Sequence, residues 1–141
     1  LEQLLGPGLP PRAFPRRAAY EPRIEVRSFA RDRLEAALHV PGHGELYADH
    51  FPRRPVYPAT LLLDAQLRLA KRLAAGDPER PVPAVPGVVR HVKVRSFTEP
   101  GASLEVVAEL RPRESADAPL SVALTASAGG KPVSTATVVL P

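Results

Sequence analysis

Residues 49–66 read DHFPRRPVYPATLLLDAQ, and the change of pattern at Pro58 decides how this chain folds. Up to Pro58, three prolines stiffen an irregular segment that begins beside His50. Beyond it the chain is apolar almost all round for two turns, which predicts a helix buried in a core, from about Pro58 to Ala75 and ended by Gly76. Its apolar residues are Leu61, Leu62, Leu63, Ala65, Leu67, Leu69, Ala70 and Leu73.

The rest of the chain predicts an antiparallel sheet around this helix. Alternation with a period of two predicts strands at Ser103–Arg111 and Leu120–Ser127, and Gly129-Gly130 is typical of a hairpin turn. The resulting fold class is α+β, with one long central helix wrapped by five or six antiparallel strands. We expect residues 1–22, which start with a short helix at 1–5 and are rich in proline and arginine, to form an N-terminal arm, and residues 23–141 to form the domain. The other strands are expected at Arg23–Phe29, Arg33–Val40, Val88–Phe97 and Val133–Leu140.

Composition limits the classes of function. The chain has 141 residues, enough for one domain with a core, and it has no cysteine, which excludes disulfides and thiol chemistry. The four histidines show no paired spacing, so we expect no metal site. No apolar run reaches the roughly 18 residues of a membrane span, and we expect a cytoplasmic protein with no membrane partner.

The net charge of +4 is carried mostly by arginine and suits an acidic partner. Aromatic residues are sparse and do not interleave with the cations, so an acyl carrier protein is favoured over nucleic acid. A solvated, arginine-rich surface without a partner is an equally good interpretation of the charge alone. Methionine is absent, even at the first position, and this is expected of a piece of a longer polypeptide.

His50 and Asp64 lie fourteen residues apart around the start of the predicted helix. Histidine exchanges a proton near neutral pH, which suits it to general-base catalysis. Asp64 falls within the apolar run, where a carboxylate must be partnered or functional because an unpaired charge is costly in such surroundings. The pair predicts acid/base chemistry.

The segment resembles the active-site motif of hotdog-fold 3-hydroxyacyl-[acyl-carrier-protein] dehydratases, approximately HFPGxPVMPGxxxxEA with Glu or Asp as the acid. An aspartate is the choice of the β-hydroxydecanoyl-thioester branch. Residues 96–104, SFTEPGASL, are similar to the family's F-x-x-P-G-D-x-L turn, and the likeness extends over about residues 20–140. Arg53 and Ala59 replace two of the motif's glycines. The residues in register are His50, Phe51, Pro52, Pro55, Val56, Pro58, Asp64 and Ala65.

The resemblance implies dehydration of 3-hydroxyacyl thioesters to 2-enoyl thioesters. It makes His50 the base, and Asp64 the group that binds the hydroxyl and helps to protonate it. It also implies a homodimer with shared active sites, in which Asp64 reaches the site from the other subunit. In the family, the two sheets of such a dimer pair edge to edge. The backbone N–H of Ala59 is expected to face the thioester carbonyl. No cofactor is implied beyond the phosphopantetheine of the acyl carrier protein that holds the substrate.

Five further residues complete the predicted site. Val56, Tyr57 and Pro58 are expected beside Ala59 in the substrate-binding wall, although Tyr57, where the family has methionine, is also compatible with simple packing. Arg53 is a possible modulator, since a cation near His50 favours the neutral imidazole. Gln66 is a possible hydrogen-bonding modulator, on a helical face that the sequence leaves open.

Two other functions remain open at this point. A hotdog thioesterase shares the fold but usually lacks the HFP-to-acid pattern. A catalytically degenerate domain that only binds carrier protein is compatible with the two lost glycines. His39, His43 and His91 lie outside the motif, and we expect them to be structural or exposed.

Overall fold

The computed structural model describes residues 20–44, 46–49, 53–76, 87–113, 115 and 117–140. Within these ranges the chain forms six strands and two helices. They are β1 (Arg23–Phe29), β2 (Arg33–His39), α1 (Leu46–Asp49), α2 (Ala59–Ala75), β3 (Val88–Val94), β4 (Ser103–Leu110), β5 (Leu120–Ala128) and β6 (Lys131–Leu140).

The strands form one antiparallel sheet in the order β1-β2-β4-β5-β6-β3, so that β1 and β3 are its edges. The predicted alternation is confirmed, because Val106 and Ala108 of β4 and Leu124 of β5 are buried while Glu105 and Thr125 are exposed. The buried face of the sheet packs against α2 in a single core. A six-stranded antiparallel sheet around one long helix is the hotdog architecture that the sequence predicted.

Helix α2 begins and ends where the sequence indicated. It starts directly after Pro58, and its last turn is closed by Gly76, whose φ of 77° is the left-handed conformation that glycine adopts without strain. The expectation of burial all round is wrong, because only one face is covered within the chain. That face carries Leu62, Ala65, Gln66, Leu69, Ala70 and Leu73, while Leu61, Leu63 and Leu67 are partly exposed.

Edge strand β3 contains one extra residue relative to β6. Arg90 pairs with Thr137 and Lys93 pairs with Thr135, so three steps along β3 match two along β6. His91 has a φ of 55° at this β-bulge and is the only non-glycine residue of the described chain with a positive φ. Because side chains alternate, the insertion exchanges the two faces of the strand, and Val92 and Val94 line the side next to α2.

Edge strand β1 carries a similar insertion. Val26 pairs with Ala36 and Ser28 with Glu35, which leaves Arg27 as the extra residue. The Gly129-Gly130 turn between β5 and β6 has φ values of 57° and 83°, as a tight hairpin with two left-handed residues requires. The predicted hairpin is therefore confirmed.

Most of the predicted N-terminal arm, including the expected short helix at 1–5, lies outside the described residues. Tyr20 and Glu21 do contact the domain: the Tyr57 hydroxyl donates to the Tyr20 carbonyl at 2.6 Å, and Arg68 donates to Glu21 at 2.8 Å. None of the helices in the described ranges is long and apolar enough to cross a membrane.

Candidate active site

An apolar cavity of about 340 Å³ lies between the first two turns of α2 and the β3 side of the sheet. Ala59, Thr60, Leu62, Leu63 and Gln66 of α2 form one wall. The others come from Val56 and Tyr57, from Val92 and Val94 with residues 96–98, and from residues 133–136 of β6. The motif segment thus leads directly into this cavity.

Val56 and Tyr57, both predicted to bind substrate, line the cavity and are buried. The Tyr57 N–H donates to the Thr98 carbonyl at 2.7 Å, which ties the motif to the second family-like turn. The Tyr57 hydroxyl is held by the Tyr20 carbonyl, and burial, followed by the neighbouring Tyr47, Asp64 and Glu21, raises the pKa of this phenol. Tyr57 therefore both packs and lines the cavity, so the two interpretations of it are compatible.

The N-terminus of α2 offers backbone donors at the cavity wall. Pro58 has no N–H and provides no side-chain cap, and its carbonyl accepts from Leu61 and Leu62 at 3.1 and 3.2 Å. The N–H groups of Ala59 and Thr60, the first two residues of the helix, have no acceptor within it and lie at its positive end. Ala59 occupies this turn with a negative φ and lines the cavity, so replacing glycine there leaves the backbone donor intact.

A second, more polar depression adjoins the cavity. It has a volume of about 660 Å³ and is lined by Arg53, Arg54 and Arg95, with Glu99 as a counter-charge. We call these four residues and the depression between them the arginine basin. It shares part of its wall with the cavity, namely Val56, Val94, Ser96 and Phe97. Arg53 therefore faces a basic depression next to the apolar cavity.

Asp64 lies on a different face of α2 from the cavity. Its side chain is 47% exposed, and its carboxylate accepts a hydrogen bond from Arg68 Nη2 at 2.6 Å. Arg68 also donates to Glu21, so one guanidinium joins two carboxylates. These contacts raise the pKa of Arg68, with the Glu21 hydrogen bond as the main cause. The expectation that Asp64 lies in apolar surroundings is wrong within one chain.

Gln66 occupies the buried polar position that the sequence assigned to Asp64. It is 1% exposed, lines the cavity, and its Nε2 atom has no hydrogen-bond partner in the described part of the chain. The Oγ atom of Ser134 is also buried in the same cavity and has no partner among the residues that the structure describes. The sequence contained a signal for Ser134, because it alternates in phase with the buried Ala136, Val138 and Leu140 of β6.

His50, with Phe51 and Pro52, lies outside the described residues, so its position relative to Asp64 stays a prediction. Outside the motif, His39 bridges Ser103 and Glu25 on the sheet surface, with ring nitrogens 2.9 and 3.1 Å from their oxygens. In the described ranges, no group of three or more His, Asp or Glu residues has the geometry to hold a metal ion.

A family model described as ApeI-like, ApeI dehydratase, matches residues 26–135. The chain belongs to the ApeI-like dehydratase family. This membership agrees with the dehydratase resemblance found in residues 49–66. Among curated proteins, no sequence matches this ApeI-like chain.

Solved structures share the fold of this ApeI-like chain. The dehydratase heterocomplex ApeI:P from Xenorhabdus doucetiae superimposes with a TM-score of 0.62 at 16% identity, covering 85% of this chain and 97% of that chain. Thioesterase superfamily member 2 from Mus musculus gives a TM-score of 0.60 at 10% identity, covering 83% and 80%. A hypothetical thioesterase from Streptococcus pneumoniae with coenzyme A gives 0.61 at 9% identity, covering 84% and 86%. At these identities the likeness establishes the hotdog fold alone.

Proposed function

We propose that this ApeI-like protein dehydrates 3-hydroxyacyl thioesters, carried on an acyl carrier protein, to 2-enoyl thioesters in fatty-acid, polyketide or related lipid assembly. The observation that carries the proposal is the apolar cavity that adjoins the arginine basin. The cavity suits an acyl chain, because its walls are almost entirely apolar. The basin suits the phosphate of a phosphopantetheine arm or an acidic carrier surface, because Arg53, Arg54 and Arg95 line it.

In this mechanism His50 removes the proton from the carbon next to the thioester carbonyl. The electron pair forms the new carbon–carbon double bond as the bond to the hydroxyl breaks. Asp64 binds that hydroxyl and helps to deliver the proton with which it leaves as water. The Ala59 N–H donates to the carbonyl oxygen as negative charge develops there. No cofactor beyond the phosphopantetheine arm takes part in the proposed steps.

We assign Asp64 to the neighbouring site of a homodimer. Within its own chain Asp64 is half-exposed and absent from the cavity wall, which supports delivery to a second copy. The surface available for that copy is apolar: Leu61, Leu63 and Leu67 of α2 are partly exposed, and edge strand β3 presents Val92 and Val94 at 48% and 51% exposure. Pairing two β3 edges extends the sheet and covers this surface.

The first test is turnover of 3-hydroxyacyl and saturated acyl thioesters, each on carrier protein and on coenzyme A. We expect formation of the conjugated enoyl thioester, fastest from the carrier-bound substrate. Free thiol released from both substrates is the thioesterase result. Carrier binding without any turnover by the purified dimer is the result for a degenerate domain. Either of these contradicts the proposal.

We expect His50→Ala to abolish dehydration, because the base is removed. His43→Ala is the matched control, since His43 is exposed outside the cavity wall. Circular dichroism checks that both variants are folded. Near-normal turnover by His50→Ala would remove this histidine from the mechanism.

A further inference from the structure

The apolar cavity contains two polar atoms that none of the described residues satisfies. The Nε2 atom of Gln66 and the Oγ atom of Ser134 are both buried and both lack a hydrogen-bond partner within the described ranges. Burying an amide or hydroxyl without a partner costs free energy, and native proteins pair the great majority of such groups. A side chain that is 1% exposed and whose Nε2 atom has no partner among the described residues, as in Gln66, therefore indicates a partner from beyond them, such as a ligand that enters the cavity.

Two other polar groups at the cavity wall are already engaged. The Tyr57 hydroxyl donates to the Tyr20 carbonyl, and the Thr98 carbonyl accepts the Tyr57 N–H. Gln66 and Ser134 differ from these two groups because their polar atoms are buried without a partner in the described ranges, and they come from two elements, α2 and β6, that face the same space. Both atoms can donate a hydrogen bond, so an acceptor oxygen is the ligand group that satisfies each of them.

The position of Gln66 separates it from the proposed reaction centre. It follows Ala59 by seven residues, which corresponds to about 10 Å along the helix axis at 1.5 Å per residue. A substrate whose thioester carbonyl meets the Ala59 N–H reaches Gln66 only several carbons further along its acyl chain. The amide then contacts the tail of the substrate and takes no part in the elimination.

We infer that the cavity selects acyl chains that carry a hydroxyl or carbonyl oxygen remote from the thioester, bound by Gln66 Nε2 and Ser134 Oγ. This specificity rests on the proposed function for its substrate class. A plain hydrocarbon tail leaves both atoms unpaired or traps water beside them. A site that hydrogen-bonds a ligand oxygen discriminates strongly against the analogue without that oxygen, because the analogue leaves buried polar groups of the site unpaired.

The test uses pairs of acyl thioesters of equal chain length, one with a keto group and one without. The position of the keto group differs from pair to pair along the distal half of the acyl chain. Pairs without a 3-hydroxyl group cannot be dehydrated, and calorimetry measures their binding. Pairs with a 3-hydroxyl group are substrates, and enoyl absorbance measures their kcat/KM. We expect the wild-type protein to prefer one keto position by about tenfold, which corresponds to a single well-placed hydrogen bond. Equal binding across all positions overturns the inference and indicates that cavity water satisfies the two groups.

Variants assign the preference to the residues. Gln66→Leu is expected to bring the keto-to-plain binding ratio close to one, and Ser134→Ala to lower it in part. Ser121→Ala is the matched control, because Ser121 of β5 is not in the cavity wall, and it is expected to keep the wild-type ratio. Gln66→Leu removes an unpaired buried amide and is expected to fold at least as stably as the wild type.

An unchanged ratio in both Gln66→Leu and Ser134→Ala also overturns the inference. The keto-to-plain binding ratio tests this inference, and enoyl formation tests the proposed function, so the two can fail separately. A keto preference in binding without enoyl formation supports the inference and contradicts the dehydratase proposal. Enoyl formation without any keto preference does the reverse.

Discussion

Asp64 and Gln66 are two residues apart on α2 and have opposite surroundings. Successive residues turn by about 100° around a helix, so these two side chains point to nearly opposite sides. Asp64 is 47% exposed and accepts a hydrogen bond from Arg68. Gln66 is 1% exposed, and its amide nitrogen lies in an apolar cavity with no partner in the described part of the chain. The comparison shows that one helix can present a charged, half-exposed side chain on one side while its other side lines an apolar cavity.

Among the variants of α2 that test this comparison, Asp64→Asn is expected to have the largest effect. If Asp64 protonates the leaving hydroxyl, kcat/KM for dehydration falls by about 10² to 10⁴, the range that a positioned acid or base supplies. Stability should change little, because the ion pair is half-exposed. Enoyl absorbance and thermal unfolding measure the two quantities. Glu105→Gln, an exposed carboxylate on β4, is the control.

Mixing inactive variants sharpens this prediction. If each site combines His50 of one subunit with Asp64 of the other, dimers re-formed from His50→Ala and Asp64→Asn contain one intact site and regain activity. Sites built within single chains stay inactive after mixing. Unchanged kinetics in Asp64→Asn alone would show that this face of the helix has no part in the chemistry.

The next largest effect compares two leucines on α2. Leu69 is fully buried, so Leu69→Ala is expected to lower the free energy of unfolding by about 2–5 kcal/mol through lost contacts and a residual cavity. Leu67 is only partly buried in a single chain, and Leu67→Ala should cost less. Urea denaturation at several protein concentrations measures both. If a second copy covers the face that carries Leu67, the loss of unfolding free energy in Leu67→Ala depends on the protein concentration. Equal losses in Leu67→Ala and Leu69→Ala at every concentration would show that the two faces are alike.

The smallest effect is expected from Arg68→Gln. This change removes the hydrogen bonds to both Asp64 and Glu21, yet partly exposed ion pairs contribute less than about 1 kcal/mol. Added salt screens the wild-type pairs, so the difference between the two proteins should shrink as ionic strength rises. Urea denaturation at low and high salt measures this, with Arg72→Gln as the matched control on the same helix. A large loss of unfolding free energy that does not change with salt concentration would contradict the description of these contacts as partly exposed ion pairs.

The features that local sequence determines were predicted correctly. Pro58 and Gly76 bound α2, and the Gly129-Gly130 turn and the alternating strands follow from backbone preferences and side-chain periodicity. Val56, Tyr57, Pro58 and Ala59 were expected at the substrate wall, and all of them except Pro58 line the apolar cavity. Their role in substrate binding stays a prediction.

The remaining features depend on contacts that sequence spacing does not encode. With leucine on almost every side of the first turns of α2, periodicity could not distinguish the face of Asp64 from that of Gln66. The pairing of Arg68 with Glu21 joins segments 47 residues apart. The bulge at His91 was also unpredictable, since no glycine marks it and only the register with β6 reveals the extra residue.

The paired insertions at Arg27 and His91 have a consequence for how the sheet meets other molecules. An open sheet edge is a template for aggregation, and irregular edge strands reduce that hazard. On β3 the regular ladder is limited to Val88–Arg90 before the insertion and Lys93–Val94 after it. A strand from another molecule can therefore pair with only a few consecutive residues of β3. A longer pairing requires a partner strand with a bulge that compensates for the inserted residue. The edge thus discourages fibril growth while it still admits a matching partner.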